Sequence, residues 1–303
     1  MGMMWCESDW SVHHRTAGGK RTITTTSVDD ILAASSLKSE SDKFTQQLQQ
    51  LYALTDNNDV KWILGCQVTR WHSLHCLKLD QEWYTTAILK QFNMEHCNAA
   101  TVLMLSRLNS NDCTKTENKI MVMRHIPYCE LVHKLMYLAT CTCPDITFTV
   151  WELAKFMSNY GPTHWKAAKH LLQYLQGTRS YGIYYGHINN PFPIFRGLSD
   201  SDWAQGEGQK SVGGHLIMMG GRAIGYSSQQ QGVVALSSCE AEYIACADMA
   251  KNILWFQSLA SELGYAQCLP TTLLCDNQGM ITSTHNPQNH SHMKHIDIHY
   301  HFI

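Results

Sequence analysis

Apolar and polar positions divide the chain into a strand-rich start, a helical middle and a second α/β stretch. Residues 22–34 (TITTTSVDDILAA) are rich in β-branched side chains and predict two short strands around a VDD turn. In residues 37–54, Phe44, Leu48, Leu51 and Leu54 recur near helical spacing and predict a helix. Residues 60–84 predict a hairpin whose strands join around Trp71–Ser73, and residues 85–94 a short helix. Residues 98–126 are polar and irregular and are expected to form a linker or long surface connection.

Three helices follow. The first covers residues 127–142 and opens on Pro127, where a helix tolerates proline. The second runs from Pro144 until Gly161 stops it. The third, residues 163–178, carries the stripe Trp165, Ala168, Leu171, Leu172 and Leu175, with Gly177 as its expected C-cap. From Gly182 the pattern turns to strands: GIYYG, PIFRGLSDSDW, SVGGHLIMMG, AIGYSS and GVVALSS. A long helix over 239–263, the strand TTLLCD and a last helical segment complete a mixed α/β sheet, with a domain boundary near residue 185.

Composition narrows the possibilities. With 303 residues and 44% apolar content, the chain can bury two cores. It contains no run of about 18 apolar residues, so no membrane span is expected. Its N-terminus, MGMMWCESDW, lacks the basic and apolar regions of a secretory signal. There are twelve cysteines but no CxxC pair; Cys66, Cys246 and Cys275 stand where core residues are expected, as reduced thiols. A net charge of -2 argues against tight gripping of a duplex through phosphates alone.

Three acids stand out. Asp200 ends one apolar stretch, Asp276 ends another, and Glu242 lies one turn into the long helix. Strand ends and a helix start are where an α/β sheet gathers carboxylates around divalent cations, and such a cluster can cut a phosphodiester with two metal ions. Ser237 and Glu240 fit a capping box, which explains Glu240 locally. Glu242 lies about 200° further round the helix, at the rim of the stripe formed by Ile244, Ala245 and Met249, where a carboxylate is expensive without a cation. Asp202 is read as the start of a turn, leaving Asp200 as the ligand on its strand.

At these residues the chain resembles a known family. SDSDWA, VALSSCEAEYIA, LLCDNQGMI and HMKHIDIHYHF resemble the ribonuclease H region of copia-type LTR retrotransposon Pol polyproteins. Upstream, SVDDILAA resembles the YVDD turn of that family's reverse transcriptase, and ILGCQVTR, LMYLATCTCPDITFTV and HWKAAKHLLQYLQGT resemble the segments that follow. The resemblance runs almost end to end and keeps its order. It implies an α/β (α+β) chain: a partial reverse transcriptase palm over 1–97, a linker with thumb and connection helices over 98–185, and a ribonuclease H-like mixed sheet over 186–303 without its last strand and helix.

The resemblance also implies roles. Asp200, Glu242 and Asp276 would hold two Mg²⁺ ions, with Mn²⁺ as a substitute, and cleave RNA in RNA–DNA hybrids during reverse transcription. Asp29 and Asp30 match the acidic pair of the polymerase turn, with Ser27 in place of the family's tyrosine, and also read as a plain hairpin turn. The family's fourth acid lies beyond Ile303 and Asp297 is read as non-catalytic, so activity is expected to be weak or lost and polymerisation absent. The competing reading is a degenerate, non-catalytic transposon remnant or nucleic-acid-binding fragment. The histidines at 285, 290, 292, 295, 299 and 301 raise a zinc reading, and His290 an accessory role in product release. Expected partners are the hybrid and other Pol fragments. The expected location is the cytoplasm, in a virus-like particle for an intact element, or the nucleus.

Overall fold

The computed structural model describes residues 2–186, 194–204, 207–267 and 269–285. Within them the fold is mixed α/β, with three four-stranded sheets. The first is an antiparallel meander of β1 (Met4–Trp5), β2 (Val12–Ala17), β3 (Lys20–Ser27) and β4 (Asp30–Ser35), followed by α1 (Lys38–Gln49). The expected turn sits between β3 and β4, where Val28 adopts a left-handed φ of 49° and is 95% exposed. A β-branched residue is strained there. In α1 only Phe44 is buried; Leu51 and Leu54 lie beyond the helix and are exposed.

The second sheet begins with β5 (Trp62–Ile63), β6 (Cys66–Trp71) and β7 (Cys76–Asp80), with a single 3₁₀ turn at His72–Leu74 closing the hairpin where expected. The helices α2 (Glu82–Gln91), α3 (Glu117–Arg124), α4 (Tyr128–Cys141), α5 (Thr147–Ala154) and α6 (Pro162–Thr178) come next. The strand β8 (Gly182–Tyr185) then returns to pair antiparallel with β7. A core of Ile88, Leu131, Leu135, Leu138, Leu153 and Leu171 joins α2, α4, α5 and α6. The buried Tyr128 hydroxyl donates to the Leu153 carbonyl at 2.8 Å.

Several expectations need correction here. The polar segment 98–126 contains α3 and buries Leu108 and Met123, since a few apolar anchors suffice to pin a polar stretch. The second helix ends at Ala154, and turns carry the chain on to Gly161. Gly177 is not a cap: α6 continues through Thr178, and a Cβ at 177 would lie 3.1 Å from the Ala99 Cβ. There glycine serves close packing, which periodicity cannot distinguish from termination.

The third sheet contains β9 (Phe195–Asp202), β10 (Val212–Met219), β11 (Arg222–Gln230) and β12 (Thr272–Leu274), in the spatial order β11-β10-β9-β12. The first three form an antiparallel meander, and β12 joins β9 in parallel. Residues 232–238, expected as a strand, form bends and irregular backbone up to Ser238, which opens the next helix. The 25-residue α7 (Ser238–Glu262) packs on one face of this sheet and buries Tyr243, Ile244, Met249 and Ile253. A Cβ at Gly197 would meet the Met249 Sδ at 2.5 Å, so the missing side chain lets α7 sit close to β9. The short α8 (Gln278–His285) follows β12. No helix among the described residues is long and apolar enough to cross a membrane.

Candidate metal centre

The register of the third sheet brings two of the three acids together. β12 runs parallel to β9 with Leu274 opposite Leu198. Asp276 and Asp200 each stand two residues further on, at the same end of neighbouring strands about 4.8 Å apart. Glu242 comes from α7, whose start is held by the expected cap: the Ser237 hydroxyl accepts from the Glu240 N–H at 3.2 Å. Glu240 reaches back to the Leu236 N–H at 2.7 Å, one residue before the N-cap rather than the cap residue itself. That leaves Glu240 as a capping group and turns Glu242 toward the sheet.

Glu242 is 5% exposed. Its Oε1 accepts from the Ser201 N–H at 3.0 Å, and the same N–H is held by Asp200 Oδ1 at 2.8 Å. Its Oε2 accepts from the Cys275 thiol at 3.7 Å. Ligand atoms of Glu242, Cys275 and Asp276 all lie within 4.8 Å of one another. Burial pushes the Glu242 carboxyl above the usual carboxylate range; the Ser201 hydrogen bonds oppose this, and Asp200 and Asp276 add repulsion. Glu242 and Asp276 therefore stand within ligand reach of each other beside Cys275, whereas Asp200 is exposed, lies outside that group and is tied to Glu242 through the Ser201 N–H that both accept. A buried carboxylate with one amide N–H and one weak thiol donor fits a cation better than it fits solvent.

The neighbouring acid, Asp202, is paired with Arg107, whose guanidinium also lies 5.5 Å from the Phe148 ring centre. This ion pair gives Asp202 a structural explanation that sequence alone did not offer. Beside it, a cleft of about 500 Å³ opens between the start of α5 and the sheet face bearing Asp200, lined by Asp145, Phe148, His215 and Tyr226 among others. Cys275 was read as a core residue; it is half-buried and faces the acids. Its position next to Asp276 was the only hint, because the partner Glu242 is 33 residues away.

Among the described residues, the polymerase-turn acids do not join this group. Asp29 and Asp30 are exposed at the β3–β4 turn, and the acid-and-thiol group found among the described residues does not include them. His290 and Asp297 lie outside the described residues, as do all the C-terminal histidines of the zinc reading except His285, at the end of α8.

Comparison with known proteins bears on the chain at the level of homology. The chain is 34% identical over 279 residues to the retrovirus-related Pol polyprotein from transposon TNT 1-94 of Nicotiana tabacum, a match that covers 91% of this chain. The chain is homologous to one segment of the retrovirus-related Pol polyproteins. The Pol polyproteins from transposons RE2 and RE1 of Arabidopsis thaliana are 32% and 33% identical, again over 91% of this chain. This chain spans 21% of the length of the tobacco polyprotein and 18% of each Arabidopsis one. An uncharacterized mitochondrial protein of Arabidopsis is 30% identical over 75% of this chain and 91% of its own length. No family model and no solved structure matches.

Proposed function

We propose that the third sheet and α7 form a ribonuclease H-like nuclease unit, preceded by a partial reverse transcriptase palm over 1–97 and thumb and connection helices over 98–185. The observation that carries this reading is the buried Glu242 carboxylate, which stands within ligand reach of Asp276 and shares the Ser201 N–H with Asp200, at one end of a β11-β10-β9-β12 sheet covered by α7. Under this reading the three carboxylates hold Mg²⁺ or Mn²⁺. Bound there, the ions supply Lewis-acid activation of water and stabilise the departing 3′ oxygen of the RNA strand. The protein's part is to hold the carboxylates with little water around them. Ser201 fixes the orientation of Asp200 and Glu242 through one shared N–H. The cleft beside Asp200 gives a nucleic-acid strand access to the site.

The substrate in this reading is an RNA–DNA hybrid, selected by its A-form-like geometry and by 2′-OH contacts. Polymerisation by Asp29 and Asp30 is not part of the proposal. The intact setting would be a particle in the cytoplasm or the nucleus, with other Pol fragments as partners. The test uses purified full chain, an end-labelled hybrid, and Mg²⁺ or Mn²⁺. Metal-dependent cleavage of the RNA strand, lost in Asp276→Asn, supports the reading. Absence of both cleavage and metal-dependent hybrid binding refutes it and favours a non-catalytic transposon remnant.

A further inference from the structure

The acidic group contains a ligand that magnesium chemistry does not use. The Cys275 Sγ, the Glu242 carboxylate and the Asp276 carboxylate lie within 4.8 Å of one another. Glu242 is buried, and its Oε2 has only the Cys275 thiol as a hydrogen-bond partner among the described residues. A thiol is a weak donor, so this oxygen is poorly satisfied for a buried group. A second thiol, Cys246, sits one turn along α7 from Glu242 and within electrostatic reach of both Cys275 and Glu242.

We propose that Glu242, Cys275 and Asp276 form a mixed thiol–carboxylate site that takes a thiophilic divalent ion, Zn²⁺ or Cd²⁺, in preference to Mg²⁺. Zn²⁺ binds thiolate sulfur and carboxylate oxygen in tetrahedral sites, with ligand atoms roughly 3.5 Å apart. The present separations need to close by only about 1 Å to reach that spacing. Mg²⁺ is a hard ion that takes oxygen ligands and gains nothing from the thiol. On binding, the Cys275 proton leaves to solvent and the sulfur lone pair forms the bond to the metal. Because Glu242 and Asp276 are shared with the proposed nuclease site, a thiophilic ion held here displaces Mg²⁺ and stops hydrolysis. The inference rests on the nuclease reading for that consequence alone; the binding stands on the ligands.

The test uses the full chain and two readouts other than cleavage. In ¹¹³Cd NMR, the wild-type protein is expected to show a thiolate-shifted resonance that disappears in both Cys275→Ser and Glu242→Gln. Resonances from the other cysteines serve as internal references. The second readout needs no variant: Zn²⁺ should slow alkylation of Cys275 by N-ethylmaleimide, followed by peptide mass spectrometry, by about tenfold or more, while Mg²⁺ at the same concentration leaves it unprotected. The proposal is overturned if every thiolate-shifted resonance survives Cys275→Ser, if the one lost there persists in Glu242→Gln, or if Zn²⁺ does not protect Cys275. Failure of hybrid cleavage with Zn²⁺ protection intact would count against the nuclease reading and leave this site standing.

Discussion

Glu242→Gln is the substitution that tests the carboxylate cluster most directly, because it changes charge with almost no change in shape. In the wild-type fold, Glu242 is 5% exposed, has one amide partner and one thiol partner, and feels two like charges. Leaving a buried polar group poorly satisfied costs roughly 1–3 kcal/mol, more when it is charged. Without divalent metal, the Glu242→Gln change should therefore stabilise the fold by about that amount, or roughly 2–4 °C in Tm per kcal/mol for a chain of this size. With metal the order should reverse. An ion held by the wild-type site at a hundred times its Kd adds about 2.7 kcal/mol, and the variant should gain little.

The pH dependence follows from the same residue. The folded carboxyl titrates above its ordinary value of 4.5. Between that value and the raised one, the folded state binds more protons than the unfolded, so stability falls as pH rises through the window. Below 4.5 this contribution is fully present. Thermal melts followed by circular dichroism, in EDTA and then in Mg²⁺ or Mn²⁺, at about pH 5 to 8, measure all of this. A Glu242→Gln variant that is less stable in EDTA, with the same metal-induced gain as wild type, would refute the convergence argument.

Two further predictions concern the helical region. A Cβ at Gly161 would lie 2.0 Å from the Asp112 carbonyl oxygen, which is backbone and cannot step aside, so Gly161→Ala should cost about 1–3 kcal/mol in urea denaturation. An unchanged midpoint would contradict that packing. His164 is wholly buried against Phe156, and its Nδ1 accepts the Gly161 N–H at 2.9 Å. Burial holds its pKa below 6.5, against an opposing pull from Asp112, so its contribution is present above pH 6.5 and lost as pH falls below it. This is opposite in sign to the Glu242 effect. His164→Gln should flatten the stability loss between about pH 7 and 5.5, and an identical slope in both proteins would count against the assignment.

Much of the fold was legible in the chain because it rests on local patterns. The VDD turn, the hairpin around Trp71–Ser73, the stripe on α6 and the long α7 all follow from periodicity and turn chemistry, which act over a few residues. The cap at Ser237 was legible for the same reason, and it separated Glu240 from Glu242. The Pol-family resemblance was legible too, through ordered motifs that run almost end to end.

Other features depended on residues distant in the chain. Gly177 reads as a helix terminator until Ala99 is seen against it. The polar segment containing α3 reads as a linker until Leu108 and Met123 find their cores. Asp202 reads as the start of a turn, but it is the last residue of β9 and pairs with Arg107, 95 residues earlier. The sequence by itself determined most of the elements, their order and the three acids worth watching. Only tertiary structure decided that Asp200 and Asp276 share one end of paired parallel strands, that Glu242 meets the Ser201 amide, and that a thiol stands among them. Propensity acts along the backbone, whereas charge repulsion, desolvation and ligand geometry depend on distances that the packed sheet and helix create.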